Sequence, residues 1–475
     1  MIVLNGQTLN CKILHRIAHG EAVSLDQEAI QRMEANANTT PSTVLEAKRR
    51  WIIGSQTKES EHLNREFILS HCAGVGEPLP ESIVRAAMAA RINVLATGHT
   101  GSRPIAALKM LELLNRSIIP IVPAQGSVGA AGDLAPMAHI ARVVCGYGPY
   151  PADYTPLVPT SKETLSLING VSLSAGIAAL AIVRAERLFE IATYAAALTM
   201  ETVYAQSQCI DPRVLSLRGH PECVEVGQEL GRILHGSQRV QSDRNPDAFS
   251  IRCGPSVMGA ILNTIRHSRM CVDRELNGCS DNPLLIEGEW LEAGHFHGSQ
   301  IGLAMDHLKI ALTQLATLSE RRTFRLTHEK LSKNLPSFLV KGNGLNSGFM
   351  LAQYTAAALA SECKGLAHPA SVDTIPTVQH HEDHVSMAPI AARHCLQTID
   401  CLTDILSIEL LLGAQALDLR KRDDQLPHPP IVQTLHQTIR KHIHFWDDDQ
   451  VLHPSLSAMR RLITSGELLQ HPETW

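Results

Sequence analysis

The segment Gly126-Ser-Val-Gly-Ala-Ala-Gly-Asp-Leu-Ala-Pro-Met-Ala-His139 is the most informative part of the chain. Three of its glycines recur at a spacing of three residues, and Asp133 follows the last of them. This density of glycine predicts a tight turn, because glycine adopts left-handed backbone conformations without steric cost. Asp133 then predicts the N-cap of a helix that follows the turn. Taken alone, the pattern also fits an ordinary glycine-rich entry into a helix.

Helical periodicity dominates the rest of the chain. Further long helices are predicted over 172–194, 345–366 and 388–412, together with a small hairpin around Gly288. These elements predict an all-α bundle with minor β hairpins, in one continuous unit that covers residues 1–475. The clearest apolar helix face has residues spaced 4, 3, 4 and 3 positions apart, namely Ile301, Met305, Leu308, Leu312 and Leu315.

Composition excludes several classes of protein. Of the 475 residues, 44% are hydrophobic and 19% are charged, which is enough apolar surface to exclude a disordered chain. The formal net charge of −5, without a clustered basic run, excludes a typical nucleic-acid-binding surface. The 11 cysteines are scattered and form no C-x-x-C motif, so we expect neither a disulfide framework nor a zinc knuckle. No apolar run is long enough to span a bilayer. We therefore expect a cytoplasmic protein without membrane or nucleic-acid partners.

Seven further blocks accompany the glycine-rich segment in a fixed order. With it, they make the sequence resemble the histidine and aromatic amino acid ammonia-lyase family, from about Leu9 to Arg420. The run Glu382-Asp-His-Val-Ser-Met387 makes the histidine branch the most similar. The seven blocks cover residues 70–79, 167–170, 280–284, 318–322, 346–350, 368–369 and 382–389.

The resemblance implies a fold and an assembly. The family forms an all-α homotetramer with a long central helical bundle, and each active site draws on three subunits. By this resemblance, residues 1–195 are the N-terminal part that carries the glycine-rich turn. Residues 196–475 are the central bundle and the C-terminal helices of the same single unit. The expected partner is a small amino acid or a close analogue.

The resemblance also implies a prosthetic group that this sequence does not support. The family makes methylidene-imidazolone (MIO) from an Ala-Ser-Gly tripeptide. The glycine nitrogen attacks the alanine carbonyl, and the serine then loses its β-hydroxyl as water. Here the tripeptide is Ala130-Ala131-Gly132. Because the side chain of Ala131 has no oxygen to lose, no exocyclic methylene can form. We expect MIO to be absent, and the sequence leaves open whether the backbone cyclises.

Two tyrosines of the family pattern are replaced as well. Trp51 falls near the place of the family's lid tyrosine, and the lid is shorter than in the family. Phe249 stands where a second tyrosine is expected, in Pro246-Asp-Ala-Phe-Ser-Ile-Arg252. Since neither replacement can take up a proton, the electrophile and both phenol groups are lost together.

Other pocket positions keep the residue types of the family. By the resemblance, Arg252 pairs with the substrate carboxylate, a role that suits a guanidinium because it can bind both oxygens. His71 and Glu382 position the side chain and the ammonium of the substrate. Each of these groups can instead be a buried, paired residue with a structural role. The predicted catalytic residues are His71, His381 and Glu382. The predicted substrate-binding residues are Asn169, Phe249, Arg252, His295 and Phe296.

Three histidines are gained relative to the family pattern. His295 and His380 each replace an asparagine, and His381 replaces a glutamine. If the family fold holds, His71, His295 and His381 approach Glu382 and form a metal site or a proton relay. Their spacing matches no recognised metal motif, so we expect polar core or surface histidines and no bound metal.

Three functions remain open. The first, which the sequence favours, is an enzyme that binds an amino acid and uses acid–base or lyase-type chemistry without MIO. The second is a catalytically inactive homologue with a binding or regulatory role. The third is a histidine ammonia-lyase, which converts L-histidine to urocanate and ammonia, carrying alanine in place of serine at position 131.

Overall fold

The computed structural model describes residues 1–37, 61–342 and 344–469. Helices dominate these ranges, and the strands within them are short pairs, which confirms the predicted all-α fold with minor β hairpins. Trp51 and the shortened lid lie outside the described residues. Within the described ranges, no helix combines the length and the apolar character that a bilayer crossing requires.

The helices range from single turns to ten turns. In chain order they are α1 (Cys11–Ala18), α2 (Gln27–Ala37), α3 (Glu61–His71), α4 (Glu81–Ala96), α5 (Pro104–Asn115), α6 (Leu134–Val144), α7 (Ser161–Ser166), α8 (Ser172–Thr202), α9 (Pro212–Ser216), α10 (Pro221–Ile233), α11 (Phe249–Arg252), α12 (Gly254–Glu275), α13 (Ser299–Thr327), α14 (Met350–Leu366), α15 (Ala388–Asp424), α16 (Pro430–His442) and α17 (His453–Thr464).

Within the described ranges, the strands form three two-stranded sheets. β1 (Ile2–Leu4) pairs in parallel with β2 (Val23–Leu25), and β3 (Val75–Pro78) pairs antiparallel with β4 (Pro123–Gln125). β5 (Leu284–Ile286) and β6 (Glu289–Leu291) form the predicted hairpin, with Leu285 opposite Trp290. Its two turn residues, Glu287 and Gly288, both have positive φ (51° and 84°), as the tightest hairpin turns require.

Long helices occur where the apolar periodicity predicted them, with shifted ends. The predicted face of α13 is buried, and Ile301, Met305 and Leu308 have no solvent exposure. α14 begins at Met350 rather than at 345, because Gly348 adopts a left-handed conformation (φ 53°) just before it. α15 runs on to Asp424, beyond the predicted end, because charged residues continue a helix as readily as apolar ones.

The described chain divides into two compact units. The first comprises residues 1–183, 267–307 and 369–394, and the second comprises 184–266, 308–368 and the residues from 395 onward. The single unit over residues 1–475 stays a prediction. Each unit is built from segments that are distant in sequence.

The first unit is organised around α4. This helix is buried from Ile83 to Ala96, and it packs against α1 and α5. One of its buried residues is Arg91. The Nη1 of Arg91 donates to the carbonyl oxygens of Ser166 and Ser280 (3.3 and 3.4 Å). A guanidinium therefore ties the end of α7 to the segment before β5.

The second unit is organised around a buried carboxylate on α15. Glu409 accepts hydrogen bonds from Arg322 Nη2 (2.8 Å) and from the hydroxyls of Thr199 (2.9 Å) and Ser319 (2.6 Å). The side chains of Glu409 and Arg322 are 0% and 1% exposed. One charged group thus connects α8, α13 and α15, and it must stay paired because an isolated buried charge is costly.

Candidate active site

The glycine-rich segment forms a turn, residues 126–133, that we call the site turn. Gly132 pairs with Gly170 as an isolated parallel bridge. The Gly170 N–H donates to Ala131 O (3.2 Å), and the Asp133 N–H donates to Gly170 O (2.8 Å). Gly132 has φ 78°, and a Cβ at this position would lie 2.2 Å from Gly170 O. Glycine is therefore required here for conformation and for space.

The other side of the site turn is held by the segment before α15. The Met387 N–H donates to Val128 O, and the Ser386 hydroxyl donates to Gly129 O, both at 2.8 Å. Residues that are more than 250 positions apart in sequence thereby fix the turn from its second edge. The turn is therefore held by main-chain bonds together with the hydroxyl of Ser386.

Asp133 occupies the predicted N-cap position of α6, but its side chain bonds elsewhere. Its side chain makes no capping bond to α6. Instead, its two carboxylate oxygens accept from the N–H and the hydroxyl of Ser174 in the first turn of α8, each at 2.7 Å. The carboxylate therefore stabilises the start of another helix. Complete burial raises the pKa of Asp133 to about 6, although the hydrogen bonds from Ser174 act in the opposite direction.

A cavity of about 380 Å³ opens beside the site turn in the first unit. Its volume is within the range of small-molecule sites, and apolar side chains form much of its wall. The lining residues are Phe67, His71, Ala130, Ala131, Leu134, Ser161, Thr164, Leu165, Asn169, Phe296, His297, Val378, His381, Glu382, Asp383 and His384.

His71 presents one ring nitrogen as an acceptor. Its Nδ1–H donates to Phe67 O (2.7 Å) at the end of α3, which leaves Nε2 without a proton in the neutral ring. Burial lowers the pKa of His71, while the bond to Phe67 and the charge of Glu382 partly oppose this effect. A neutral imidazole with a free Nε2 can accept a proton or a hydrogen bond.

Asn169 is oriented by a buried network of polar groups. Its Nδ2 donates to Asp281 Oδ1 (3.0 Å) and to Asn282 O (3.2 Å). Asp281 in turn pairs with Lys162 Nζ (2.7 Å), and the side chains of this ion pair are 0% and 3% exposed. Because both amide protons are used internally, Asn169 presents its oxygen as an acceptor.

Glu382 is carried by a strained turn. Thr377 and Glu382 form an antiparallel bridge, and the Thr377 hydroxyl donates to Glu382 Oε2 (2.7 Å). Between them, Val378, Gln379 and His380 all have positive φ (47°, 51° and 68°). Such values are rare for residues other than glycine, above all for a β-branched valine, and backbone strain of this kind concentrates at functional sites.

His297 holds the residues that follow Glu382. The Ser299 hydroxyl donates to its Nδ1 (2.8 Å), and its Nε2–H donates to His384 O (3.2 Å). The rings of His297 and His384 also stack, with centroids 5.6 Å apart and an interplanar angle of 8°. Ser299 thus orients the ring of His297, and Nε2 of that ring holds the loop that carries Glu382.

The structure brings most of the predicted site residues together. The cavity lining includes His71, Ala130, Ala131, Asn169, Phe296, His381 and Glu382, and Gly132 completes the adjoining turn. It also includes Phe67, His297, Asp383 and His384, which were not predicted as site residues. His297 follows the predicted Phe296, and Asp383 and His384 lie in the block 382–389, but no feature of spacing predicted that they would face the cavity.

Three predicted site residues lie elsewhere. His295 is exposed and is not among the residues that line the cavity. Phe249 and Arg252 belong to α11 in the second unit, where Phe249 is 73% exposed. Their roles in binding a substrate stay predictions. Within the described ranges, no group of three or more His, Cys, Asp or Glu side chains is arranged to hold a metal ion.

The sequence model of a family described as "Aromatic amino acid lyase" matches residues 9–441. The chain belongs to the aromatic amino acid lyase family. The predicted resemblance to the histidine and aromatic amino acid ammonia-lyases is thereby confirmed, because the match covers most of the chain.

Individual members of the aromatic amino acid lyase family agree with this assignment over their full length. The histidine ammonia-lyase of Myxococcus xanthus is 40% identical, over 98% of this chain and 97% of the relative. The crystal structure of histidine ammonia-lyase from Trypanosoma cruzi is 33% identical, with a TM-score of 0.88, over 99% of this chain and 94% of that one. Tyrosine aminomutase from Streptomyces globisporus is 30% identical, with a TM-score of 0.89, over 99% and 98%.

Proposed function

We propose that this chain binds an amino acid in the cavity beside the site turn, with L-histidine as the first candidate. The observation that carries the proposal is the convergence of three polar groups on one cavity of about 380 Å³. His71 and Asn169 offer hydrogen-bond acceptors, and Glu382 offers a carboxylate that attracts an ammonium. The full-length relatives named histidine ammonia-lyase support the choice of ligand.

The residues at the site turn do not fit MIO, the prosthetic group of the family. Ring closure needs only backbone atoms, but the exocyclic methylene needs a hydroxyl on the middle residue. Ala131, which lines the cavity, has a methyl group instead. We therefore propose that the chain works without this electrophile, and that any chemistry is acid–base chemistry of the cavity side chains.

His71, His381 and Glu382 are the proposed catalytic groups. The free Nε2 of His71 is suited to accept a proton from a bound ligand, and Glu382 is held in place by Thr377. For the substrate carboxylate we retain Arg252 as the proposed partner, on the family resemblance alone. A homotetramer is proposed on the same ground.

A second candidate is histidine ammonia-lyase itself, in which alanine at position 131 replaces a serine. The 40% and 33% identities to proteins of that name favour it more directly than they favour chemistry without MIO. An inactive homologue with a binding or regulatory role is the third candidate. Assays of ligand binding and of substrate turnover distinguish the three candidates.

Calorimetric titration with L-histidine tests the binding step. We expect saturable heat with the natural chain. In Glu382→Gln, which keeps the shape but loses the charge, we expect an affinity at least about tenfold weaker, since a lost hydrogen bond to a charge is worth about 1.5–3 kcal/mol. Glu289→Gln, in the exposed strand β6, serves as the matched control and should bind normally. No heat with any amino acid would contradict the proposal.

A turnover assay separates the candidates. Urocanate formation is followed by absorbance for the natural chain and for Ala131→Ser. Rapid urocanate formation by the natural chain contradicts the absence of MIO chemistry. Activity gained only in Ala131→Ser supports the histidine ammonia-lyase candidate. If both proteins bind L-histidine and neither converts it, the result supports the third candidate, an inactive homologue with a binding role.

A further inference from the structure

Two cysteines of the second unit lie side by side on neighbouring helices. Cys363 on α14 is fully buried, and Cys401 on α15 is partly exposed. The Cys363 Sγ lies 4.0 Å from Thr398 O, which is one helical turn before Cys401 on α15. The thiol of Cys363 also hydrogen-bonds to that of Cys401. The Cys363 thiol is therefore close to the turn of α15 that carries Cys401.

The two thiols differ in how readily they ionise. The shared hydrogen bond raises the pKa of Cys363, and burial adds to this effect. The same bond lowers the pKa of Cys401, against the opposing effects of burial and of the carboxylates of Glu362, Asp400 and Asp404. Cys401 is thus the partly exposed thiol that forms the thiolate first, and the thiolate is the reactive form.

We propose that Cys363 and Cys401 are an oxidation site, at which a hydroperoxide converts the two thiols into a reversible disulfide. The Cys401 thiolate attacks one peroxide oxygen and breaks the O–O bond. With one proton taken up, this gives a sulfenic acid and a molecule of water or alcohol. Cys363 sulfur then attacks the Cys401 sulfur, loses its proton and expels the sulfenic oxygen as water. Two thiols are oxidised by two electrons, and one peroxide is reduced.

A disulfide between these two cysteines would enclose the chain segment that carries two residues of the cavity. Between the two cysteines lie the end of α14, the loop with the strained turn at 377–382 and the start of α15. That loop carries His381 and Glu382, which line the cavity. A disulfide between Cys363 and Cys401 would close this segment into a covalent loop, and it would restrict the unfolded chain over the same stretch.

Peptide mapping tests the proposal directly. The purified full-length chain is treated with hydrogen peroxide, the remaining thiols are alkylated, and the protein is digested without reduction. We expect a crosslinked peptide pair that joins Cys363 to Cys401, and we expect its disappearance after treatment with dithiothreitol. Failure to detect this pair while other cysteines become oxidised would overturn the proposal, as would a bridge between two chains.

Two variants make the assignment specific. Cys401→Ser replaces the partly exposed partner, so it should fold and should lose the crosslink. Cys271→Ser is the matched control, because Cys271 is also partly exposed but has a histidine, His267, as its sulfur contact (3.7 Å). We expect the Cys271→Ser protein to form the crosslink as the natural chain does. Circular dichroism of both reduced variants verifies the fold. Formation of the crosslink tests the disulfide independently of the proposed function. An effect of the crosslink on the affinity for histidine would additionally require that the proposed function is correct.

Discussion

Two acidic residues, Asp133 and Glu275, interact electrostatically, and each has a pKa above its ordinary value. Asp133 is completely buried, and Glu275 at the end of α12 is partly buried. Burial, together with the charge of Asp133, raises the pKa of Glu275 from 4.5 to about 7. At neutral pH, deprotonation of this pair places like charges near one another, which opposes folding.

The replacement Glu275→Gln should change how stability depends on pH. Since the folded-state pKa lies above the ordinary value, protonated Glu275 stabilises the fold at low pH. This contribution is lost as the pH rises from 4.5 through about 7. After allowance for partial exposure, we expect the variant to gain on the order of 1–2 kcal/mol relative to the natural chain between about pH 5 and pH 8. Urea unfolding at both pH values measures the difference, and an equal pH dependence in the two proteins would contradict it.

At the scale of structural elements, the site turn depends on the absence of side chains at its closest contact. Gly132→Ala should cost about 3 kcal/mol or more, because its Cβ would meet Gly170 O at 2.2 Å. Gly236→Ala is the matched control, since Gly236 also has a positive φ (84°) but no atom within 4 Å of the added Cβ. The control should lower the free energy of unfolding by only about 1 kcal/mol, which is the cost of placing alanine at a positive φ. Equal losses on thermal unfolding would show that the contact with Gly170 has no role.

The ion pair of Glu409 and Arg322 makes a second prediction at this scale. Arg322→Met leaves the buried carboxylate without its counter-charge, so it should lower the free energy of unfolding by about 3–5 kcal/mol. Adding Glu409→Gln removes the unpaired charge and keeps one oxygen acceptor for the hydroxyl of Thr199 or Ser319. The double variant should therefore recover on the order of 1–2 kcal/mol relative to Arg322→Met. Denaturant titration of the three proteins checks this, and a double variant weaker than the single one would contradict it.

Local patterns in the sequence predicted the elements better than the contacts between them. The apolar face of α13 and the hairpin at 284–291 followed from periodicity, because both patterns lie within a few turns of chain. The bonds of Asp133 could not be predicted in this way. Its partner, Ser174, is 41 positions away, and local spacing indicates a capping residue without showing which helix it caps.

At the scale of the whole molecule, the site residues were predicted mainly from family motifs, and only partly from the periodicity and spacing of residues. His71, Asn169 and Glu382 are distant in sequence, and the family resemblance alone grouped them before the structure placed them on one cavity. The same grouping included His295, which lies on the surface. The orientation of Glu382 depends on a local bond from Thr377 and on a tertiary bond between His297 and His384. Neither bond leaves a periodic trace in the sequence.

Assembly is a further prediction at this scale. The second unit exposes several large apolar side chains, among them Leu345 (91%), Leu217 (88%) and Tyr354 (60%). Exposed apolar surface of this kind favours contacts between proteins. With the family resemblance, it leads us to expect a homotetramer of about 207 kDa, four times the chain mass of 51.8 kDa. Light scattering coupled to size-exclusion chromatography measures this mass, and a value near that of one chain would contradict it.

The bonds that hold the site turn do not involve the side chain at position 131. Ala131 lines the cavity, while main-chain bonds to Gly170 and Met387 and the hydroxyl of Ser386 secure the turn. Position 131 is thus a natural entry point for laboratory evolution. A saturation library at this codon would vary the reactive group of the pocket and leave the scaffold around it unchanged.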